Sequence, residues 1–247
     1  MKFLYEPAGL AREYAALAIN LYTGCTSGCT YCYAPSILHR PPSQFHAAAN
    51  PRPNILSHLE SDLLTLHSGA PSLKHLRSTP VLLCFVCDPY PADSQATTAA
   101  LRMLSSYRHP VTILTKNPSR CLERDFNLIY DNPSWTLAIT LTSISPDATT
   151  REPGAEPPFS RIAALKSAYS AGIKTWASFE PIFSRDECLE SLTAALPYLH
   201  GAAFGLLNHH GQPAVDPLPL MRDISRACTF TPSFKSSFFK GDTHAPR

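Results

Sequence analysis

Short apolar runs alternate along the chain with longer segments in which apolar residues recur at helical spacing. The run VLLCFV at residues 81–86 is continuously apolar, which is typical of a strand covered on both faces of a sheet. Six strands are predicted in this way, at residues 17–20, 81–86, 111–114, 135–141, 173–179 and 202–207. Helical patterns lie between them, over residues 55–67, 94–107, a segment ending at residue 130, 159–172 and 186–199.

The strands and helices alternate at a spacing of roughly 25–35 residues, which predicts parallel βαβ units with right-handed crossovers. Six strands are enough for an open barrel and too few for a closed eightfold one. We therefore expect an α/β fold, a partial (βα)6 TIM-like barrel, as a single domain over residues 1–247. Its core should span about residues 16–207, with residues 208–247 as a C-terminal cap or tail.

In parallel α/β folds, ligands bind at the carboxyl ends of the strands. The loops that follow the predicted strands are therefore where we expect the chemistry, at residues 21–35, 87–93, 115–119, 142–158 and 180–185. The first of these loops is also the richest in cysteine.

Composition narrows the class of protein only a little. The formal net charge is +2 and the sequence pI is about 8.1, a balance that neither requires nor excludes a nucleic-acid partner. No apolar run reaches the roughly 18 residues of a membrane span, and the N-terminus, MKFLYEPAGLARE, lacks the apolar core of a signal peptide. We therefore expect a cytoplasmic protein with no membrane contact and with reduced thiols. We therefore expect its eight cysteines to be metal ligands or buried residues rather than disulfide partners.

The stretch NLYTGCTSGCTYCYAP, residues 20–35, places three cysteines directly after the first predicted strand. Their spacing is Cys25-x3-Cys29-x2-Cys32. Glycines stand beside them, and glycine permits tight turns and a close approach of the backbone. Thiolates at this spacing on one loop are able to converge on one inorganic centre.

Three interpretations of the cysteine loop are open: ordinary loop cysteines, a zinc site, or an iron–sulfur cluster. Structural zinc usually takes four ligands, and no second ligand pair stands close by, although Cys84 and Cys87 must be considered. A cluster held by three cysteines leaves one iron open to a substrate or cofactor, which is a feature of reactive metal sites.

The string Cys25-x3-Cys29-x-Tyr31-Cys32 resembles the signature of the radical S-adenosylmethionine (SAM) superfamily, and the wider stretch is similar to the branch that contains spore photoproduct lyase. The resemblance implies that the three cysteines hold a [4Fe-4S] cluster whose fourth iron is chelated by SAM. It also implies an electron donor such as flavodoxin or ferredoxin, and cleavage of SAM to a 5′-deoxyadenosyl radical that abstracts hydrogen from a substrate. Tyr31 is then expected on the adenine side, as a cofactor-binding and catalytic candidate.

Two later stretches resemble the same branch where it contacts the amino-acid part of SAM. CDPYP, residues 87–91, follows the second strand and places Asp88 near the SAM amino group; the alternative is a proline turn that starts a helix. TKNP, residues 115–118, follows the third strand, and the resemblance implies that Lys116 pairs with the SAM carboxylate; the alternative is a solvated surface lysine.

Further candidates follow the fourth and fifth strands. ITLTS ends the fourth strand, where the superfamily often places hydroxyl or amide groups on the ribose of SAM. The candidates there are Thr140, Thr142 and Ser143, although threonine is also simply a good strand former. The longest similar stretch, residues 151–182, includes Glu180 as a candidate for contact with adenosine or substrate.

Cys87 is the candidate for a second catalytic task. Spore photoproduct lyase uses a cysteine near its second strand as hydrogen donor to the substrate radical. Cys87, nearer the end of that strand, is a better candidate than Cys84. Cys84 is equally well explained as a small buried residue of a core strand.

The sequence leaves the substrate open. Repair of a DNA lesion is implied only by analogy with the lyase, because the C-terminal region here is short and different. Lys235 and the phenylalanines around it have the chemistry to attract phosphates and stack on bases, although packing on the barrel is the simpler interpretation. The competing function is a non-enzymatic, zinc- or cluster-stabilised module that binds nucleic acid.

Overall fold

The structure, a computed structural model, describes residue 1, residues 3–207 and residues 215–239. Of the tail expected over residues 208–247, the segments 208–214 and 240–247 lie outside the described residues. Seven parallel strands lie side by side in chain order. They are β1 (Leu17–Ile19), β2 (Val81–Leu83), β3 (Val111–Thr115), β4 (Thr136–Thr140), β5 (Lys174–Ile182), β6 (Ala202–Leu206) and β7 (Ser233–Phe234).

Helices connect successive strands, as parallel pairing requires. The α-helices are α1 (Ala34–Ile37), α2 (Pro42–Phe45), α3 (Ile55–His67), α4 (Gln95–Ser106), α5 (Pro118–Tyr130), α6 (Asp147–Arg151), α7 (Pro158–Ser170), α8 (Arg185–Ala195) and α9 (Pro217–Ala227). Short 3-10 helices lie at Gly9–Glu13, Pro71–Leu76, Leu196–Tyr198 and Ser236–Phe238. The sheet curls into a half-barrel, which confirms the α/β partial barrel expected from the sequence. No described helix combines the length and the apolar character that crossing a membrane requires.

Strand β2 is shorter than the sequence predicts because the chain leaves the sheet after Leu83. Up to that residue it pairs in parallel with both β1 and β3. The backbone N–H groups of Phe85 and Val86 then donate to the side-chain oxygen of Asn20, at 2.8 and 3.0 Å. Because a side chain satisfies these two amides, the residues after β2 bend away from the ladder.

Strand β5 runs further than the sequence predicts, to Ile182. It pairs regularly with β6 up to Phe179, and the register then shifts before Ile182 pairs with Leu206. The irregularity lies at Glu180 and Pro181, and proline has no N–H to donate to a ladder. The shift leaves Glu180 at the end of the regular pairing, on the wall of a cavity.

The seventh strand belongs to the tail, where the sequence indicated no strand. Ser233–Phe234 pairs in parallel with β6. Phe234 packs against Phe204 of that strand, with the ring centroids 5.7 Å apart. Two residues are too few to produce the alternating pattern from which strands are predicted. The described part of the tail therefore covers the β6 side of the half-barrel.

Two apolar clusters hold the helices to the sheet. The first joins β1, β2 and β3 to α3, α4 and α5 through buried residues such as Leu63, Leu101 and Ile129. The second joins β4, β5 and β6 to α7, α8 and α9 through buried residues such as Leu165 and Leu192. Burial of these side chains is the main source of stability for the fold.

A buried histidine makes the stability of the fold depend on pH. His109 lies just before β3, where its Nε2–H donates to the carbonyl oxygen of Thr79 at 2.9 Å. Its own carbonyl accepts from the indole N–H of Trp135 at 2.9 Å. Burial lowers the pKa of His109 to about 4. The unfolded state therefore binds this proton more readily, and stability is lost as the pH falls from about 6.5 through about 4.

We predict that His109 alone makes the free energy of unfolding about 2 kcal/mol smaller at about pH 5 than at about pH 7.5. His109→Gln removes the titrating group, so this part of the pH dependence should disappear even if the variant is less stable. His75→Gln changes an exposed histidine and should keep the wild-type pH dependence. Denaturant titrations at both pH values test this; the same pH dependence in His109→Gln as in the wild type would contradict it.

Candidate active site

The carboxyl ends of the parallel strands surround a cavity of about 460 Å³. Residues that end or follow each of β1 to β6 contribute to its mostly apolar wall. The convergence follows from parallel pairing, which places all the carboxyl ends at one edge of the sheet. The predicted site residues on this wall are Cys25, Cys29, Tyr31, Cys32, Cys87, Asp88, Lys116, Thr140 and Glu180.

The backbone next to Cys25 leaves no room for a larger residue at position 24. The N–H of Cys25 donates to the carbonyl oxygen of Phe45 at 3.2 Å. A Cβ at Gly24 would lie 2.1 Å from the carbonyl oxygen of Ala48, so the position requires glycine. The start of the cysteine loop is therefore packed tightly against the chain around α2.

The segment after α6 packs against the other part of the loop. The N–H of Gly154 donates to the carbonyl oxygen of Ser27 at 2.9 Å, and the N–H of Thr30 donates to that of Arg151 at 2.9 Å. A Cβ at Gly154 would lie 2.0 Å from the carbonyl oxygen of Thr26. Two segments distant in sequence thus fix the shape of the loop that carries the cysteines.

Three free thiols on one loop are the kind of ligand set that an iron–sulfur cluster requires. All three are free, and all three line the cavity. A single zinc ion needs its sulfur ligands about 2.3 Å from one point. Within the described chain, no three His, Cys, Asp or Glu side chains are arranged to hold one ion. A cluster binds each cysteine through a different iron and so spans thiols that lie further apart.

The cysteines differ in the charges around them. Burial raises the pKa of Cys25 to about 12, and the carboxylate of Asp88 adds to the rise. Burial also raises the pKa of Cys29, but the ammonium of Lys116 opposes that rise. Since a metal displaces the thiol proton, Lys116 favours the deprotonated form in which Cys29 is a ligand.

Lys116 follows β3 with its side chain on the cavity wall. Its Nζ lies 5.7 Å from the centre of the Tyr31 ring. Burial by itself lowers the pKa of Lys116, but Cys29 and Glu152 outweigh burial and the net shift is upward. The cavity therefore contains a stable cation, which is suited to pairing with a carboxylate.

The carboxylate of Asp88 joins the loops after β2 and β3. Its Oδ1 accepts from the hydroxyl of Thr115 at 2.7 Å and from the N–H of Tyr90 at 2.8 Å. Its Oδ2 accepts from the N–H of Lys116 at 2.7 Å. Asp88 thus positions the backbone of Lys116, a task that the sequence did not indicate. Its contact with the SAM amino group stays a prediction.

A buried ion pair connects Tyr31 with the barrel. Glu152 accepts hydrogen bonds from the hydroxyl of Tyr31 and, at 3.1 Å, from that of Thr142. Its other oxygen lies 2.5 Å from Nη2 of Arg161, and neither side chain of the pair is more than 1% exposed. Burial raises the pKa of Glu152, but nearby cations outweigh it and the net shift is downward. The hydroxyl of Tyr31 is therefore held by Glu152, while the residue lines the cavity.

The three candidates for contact with the ribose separate in the structure. Thr140 lines the cavity. Thr142 donates to Glu152, and the hydroxyl of Ser143 donates to that of Ser145 at 2.9 Å. Of the three, Thr140 is therefore the one placed to contact a ligand in the cavity.

Cys84 and Cys87 both line the cavity from the bend that follows β2. They are buried, with 5% and 8% of their surfaces exposed. Burial and then the contact with Cys87 raise the pKa of Cys84. The geometry does not distinguish between them as hydrogen donors, and the preference for Cys87 stays a prediction.

The cavity wall also includes Tyr14, Ser178 and Lys235, and of these the sequence singled out only Lys235, for contact with nucleic acid. Tyr14 follows the first 3-10 helix, Ser178 lies in β5 and Lys235 follows β7. Nζ of Lys235 and the hydroxyl of Tyr14 each lie 2.6 Å from Oε2 of Glu180. No motif links positions at opposite ends of the chain, so only the folded structure shows that they meet.

The pair of Glu180 and Lys235 has unusual proton affinities. Burial, aided by Glu13, raises the pKa of Glu180 to about 8. Burial lowers the pKa of Lys235 to about 7. The direct contact of the two groups opposes both shifts, because it favours their charged forms. At 2.6 Å, each group thus stabilises the charged form of the other.

Comparison with known proteins gives a match in structure but not in sequence. No protein-family model matches the chain, and no curated protein matches it by sequence. Among solved structures the chain is similar to SuiB from Streptococcus suis bound to S-adenosylmethionine, with a TM-score of 0.62 and 12% identity over 88% of this chain. SuiB bound to the precursor peptide SuiA gives a TM-score of 0.63 and 12% identity over 92% of this chain. The chain spans about half the length of SuiB, 50% and 51% in the two matches, and the likeness shows a shared fold.

We predict that Arg161→Met lowers the free energy of unfolding by about 3–5 kcal/mol, because it leaves the Glu152 carboxylate buried and unpaired. Adding Glu152→Gln removes that charge and should recover much of the loss. Arg185→Met is the matched control: it breaks an exposed pair with Asp223 and should cost less than about 1 kcal/mol. Denaturant unfolding measures all three variants, and an equally small cost for Arg161→Met would contradict the prediction.

Proposed function

We propose that the chain is a radical SAM enzyme in which Cys25, Cys29 and Cys32 hold a [4Fe-4S] cluster beside bound SAM. The observation that carries the proposal is that three free thiols and a half-buried lysine share one cavity at the carboxyl ends of the strands. The fold that the chain shares with SAM-bound SuiB supports it. When bound, the cluster supplies the electron for reductive cleavage of SAM to a 5′-deoxyadenosyl radical.

The chain's own residues bind and orient SAM in this proposal. Lys116, kept charged by its anionic neighbours, pairs with the SAM carboxylate. The loop of Asp88 meets the amino group. Thr140 contacts the ribose from the end of β4, and the ring of Tyr31 lies against the adenine. Glu180, on the same wall, is left for the adenosine or the substrate.

The mostly apolar wall protects a radical by excluding water and by offering few reactive polar groups. Side chains such as Phe85, Leu114 and Leu206 supply this lining. Cys87 is the proposed hydrogen donor to the substrate radical, and Cys84, in contact with it, is the alternative.

The proposal also includes the electron donor, the cellular location and the domain organisation of the enzyme. A reduced flavodoxin or ferredoxin in the cytoplasm donates the electron, and residues 1–247 act as one domain. Membership of the spore photoproduct lyase branch, and with it repair of a DNA lesion, rests on the sequence resemblance alone. Phosphates need unpaired cations, yet the basic residues described on the cavity wall, Lys116 and Lys235, both lie near carboxylates.

Anaerobic reconstitution with iron and sulfide, reduction with dithionite and an assay for 5′-deoxyadenosine test the proposal. We expect a brown protein that forms 5′-deoxyadenosine from SAM. Cys29→Ala should lose both colour and product, whereas Cys228→Ala, which changes a free cysteine elsewhere, should keep both. If the protein has an intact cluster but forms no 5′-deoxyadenosine, the proposed enzymatic function is wrong. A colourless zinc protein would favour the nucleic-acid-binding module instead.

Lys116→Met tests the contact with the SAM carboxylate. We expect the Kd for SAM to rise at least about tenfold, because the carboxylate loses its cation. Lys74→Met changes an exposed lysine and should leave the Kd unchanged. Iron content is measured on the same samples, since Lys116 also favours the thiolate of Cys29. An unchanged Kd for SAM in a variant with full iron content would contradict the assignment.

A further inference from the structure

The cavity carries a second polar group of side chains besides the candidates for binding SAM. This group, the polar wall, consists of Tyr14, Ser178, Glu180 and Lys235. The cysteines, Lys116 and Thr140 end or follow β1, β3 and β4, whereas the polar wall belongs to β5, the residue after β7 and the N-terminal segment. The two groups adjoin where Thr140 of β4 pairs with Ser178 of β5.

The polar wall is organised around one carboxylate. Oε2 of Glu180 lies 2.6 Å from Nζ of Lys235 and accepts from the hydroxyl of Tyr14 at 2.6 Å. The hydroxyl of Tyr14 also meets that of Ser178, and the Lys235 ammonium lies over the ring of Tyr14. The backbone N–H of Lys235 donates to the carbonyl oxygen of Phe204 at 3.0 Å, which fixes the lysine against β6.

Strand β6 has a glycine, Gly205, at the position where a side chain would collide with the Glu180 carboxylate. A Cβ at Gly205 would lie 2.6 Å from both Cδ and Oε1 of Glu180. Real Cβ atoms do not approach other heavy atoms so closely, so a residue larger than glycine would displace the carboxylate. Gly205 therefore provides the space that the Glu180 carboxylate occupies.

Stability does not explain this arrangement well. The side chains of Lys235 and Glu180 are 9% and 23% exposed, and a buried ion pair returns little more than the cost of removing its charges from water. The pair nevertheless lies on the wall of a mostly apolar cavity. Few, precisely placed polar groups in an apolar cavity are what fixes the orientation of a small ligand or of part of a larger one.

The chemistry of the pair selects the kind of ligand. A lysine beside a carboxylate presents a donor and an acceptor side by side, which matches the C=O and N–H of one extended peptide residue, because these two groups belong to successive amides and point to the same side of the chain. Glu13 lies on the same cavity wall and adds a negative charge, which disfavours an anionic ligand. Leu10 and Ile37, also on the cavity wall, are 45% and 54% exposed and offer apolar contact at the opening. An amide flanked by apolar groups is the chemistry of a peptide with apolar side chains.

We propose that the polar wall binds one extended residue of a peptide substrate, with Lys235 donating to the carbonyl oxygen of that residue and Glu180 accepting from its N–H. Tyr14 and Gly205 are positioning residues in this arrangement, because they act through Glu180. The inference rests on the proposed function for the reaction that follows, but the binding itself does not require cleavage of SAM.

The test measures binding of a capped dipeptide, N-acetyl-Leu-Leu-amide, by ligand-observed NMR to the anaerobically reconstituted protein with SAM added. Thymidine is the second probe, for the nucleobase alternative. Lys235→Met and Glu180→Leu each remove one partner, and Gly205→Ala displaces Glu180 without changing a charge. Lys74→Met is the control for loss of a lysine. Circular dichroism and the Kd for SAM identify any variant that fails to fold.

We expect the dipeptide to bind the wild type and Lys74→Met equally, and to bind each folded wall variant at least about tenfold more weakly. A dipeptide methylated at its amide nitrogens should bind the wild type more weakly but lose little further in Glu180→Leu. The inference is overturned if the wild type does not bind the dipeptide, if the wall variants bind it as the wild type does, or if thymidine binds in its place.

The proposed function is assayed separately on the same samples, as formation of 5′-deoxyadenosine. Wall-dependent binding without product would overturn the function and leave this inference standing. Product without wall-dependent binding would overturn the inference alone.

Discussion

The ion pair between Arg161 and Glu152 is the interaction on which the rest of the site depends. Arg161, in α7, donates to the carbonyl oxygens of Thr140 at 2.9 Å and Glu156 at 2.7 Å, and so connects a helix with the end of β4. Glu152 accepts from Tyr31 in the cysteine loop. One buried pair thus joins the loop, a strand end and a helix. An unpaired charge in this place would be costly, which makes the three elements dependent on one another.

The residues proposed for different tasks in the cavity lie on different strands. The residues proposed to hold the cluster and SAM end or follow β1 to β4, and the polar wall belongs to β5 and the tail. The chain shares its fold with SuiB at 12% identity, so this strand framework is compatible with very different sequences.

Much of the sheet was predictable from the sequence because buried parallel strands are continuous apolar runs. The ends of the strands were not, since they depend on tertiary contacts: the side chain of Asn20 ends β2 early, and β7 is a two-residue strand formed only by packing on β6. The position of the cysteines and Lys116 on the cavity wall was predictable because these residues stand in loops that follow strands. The polar wall was not, because Tyr14 and Lys235 meet only in the folded chain.

The central claim is that SAM binds the centre held by Cys25, Cys29 and Cys32. Electron paramagnetic resonance of the dithionite-reduced, reconstituted protein, recorded with and without SAM, tests it most directly. We predict that SAM changes the spectrum of the reduced cluster. The Lys116→Met variant should require a higher SAM concentration for the same change. Identical spectra with and without saturating SAM would contradict the account.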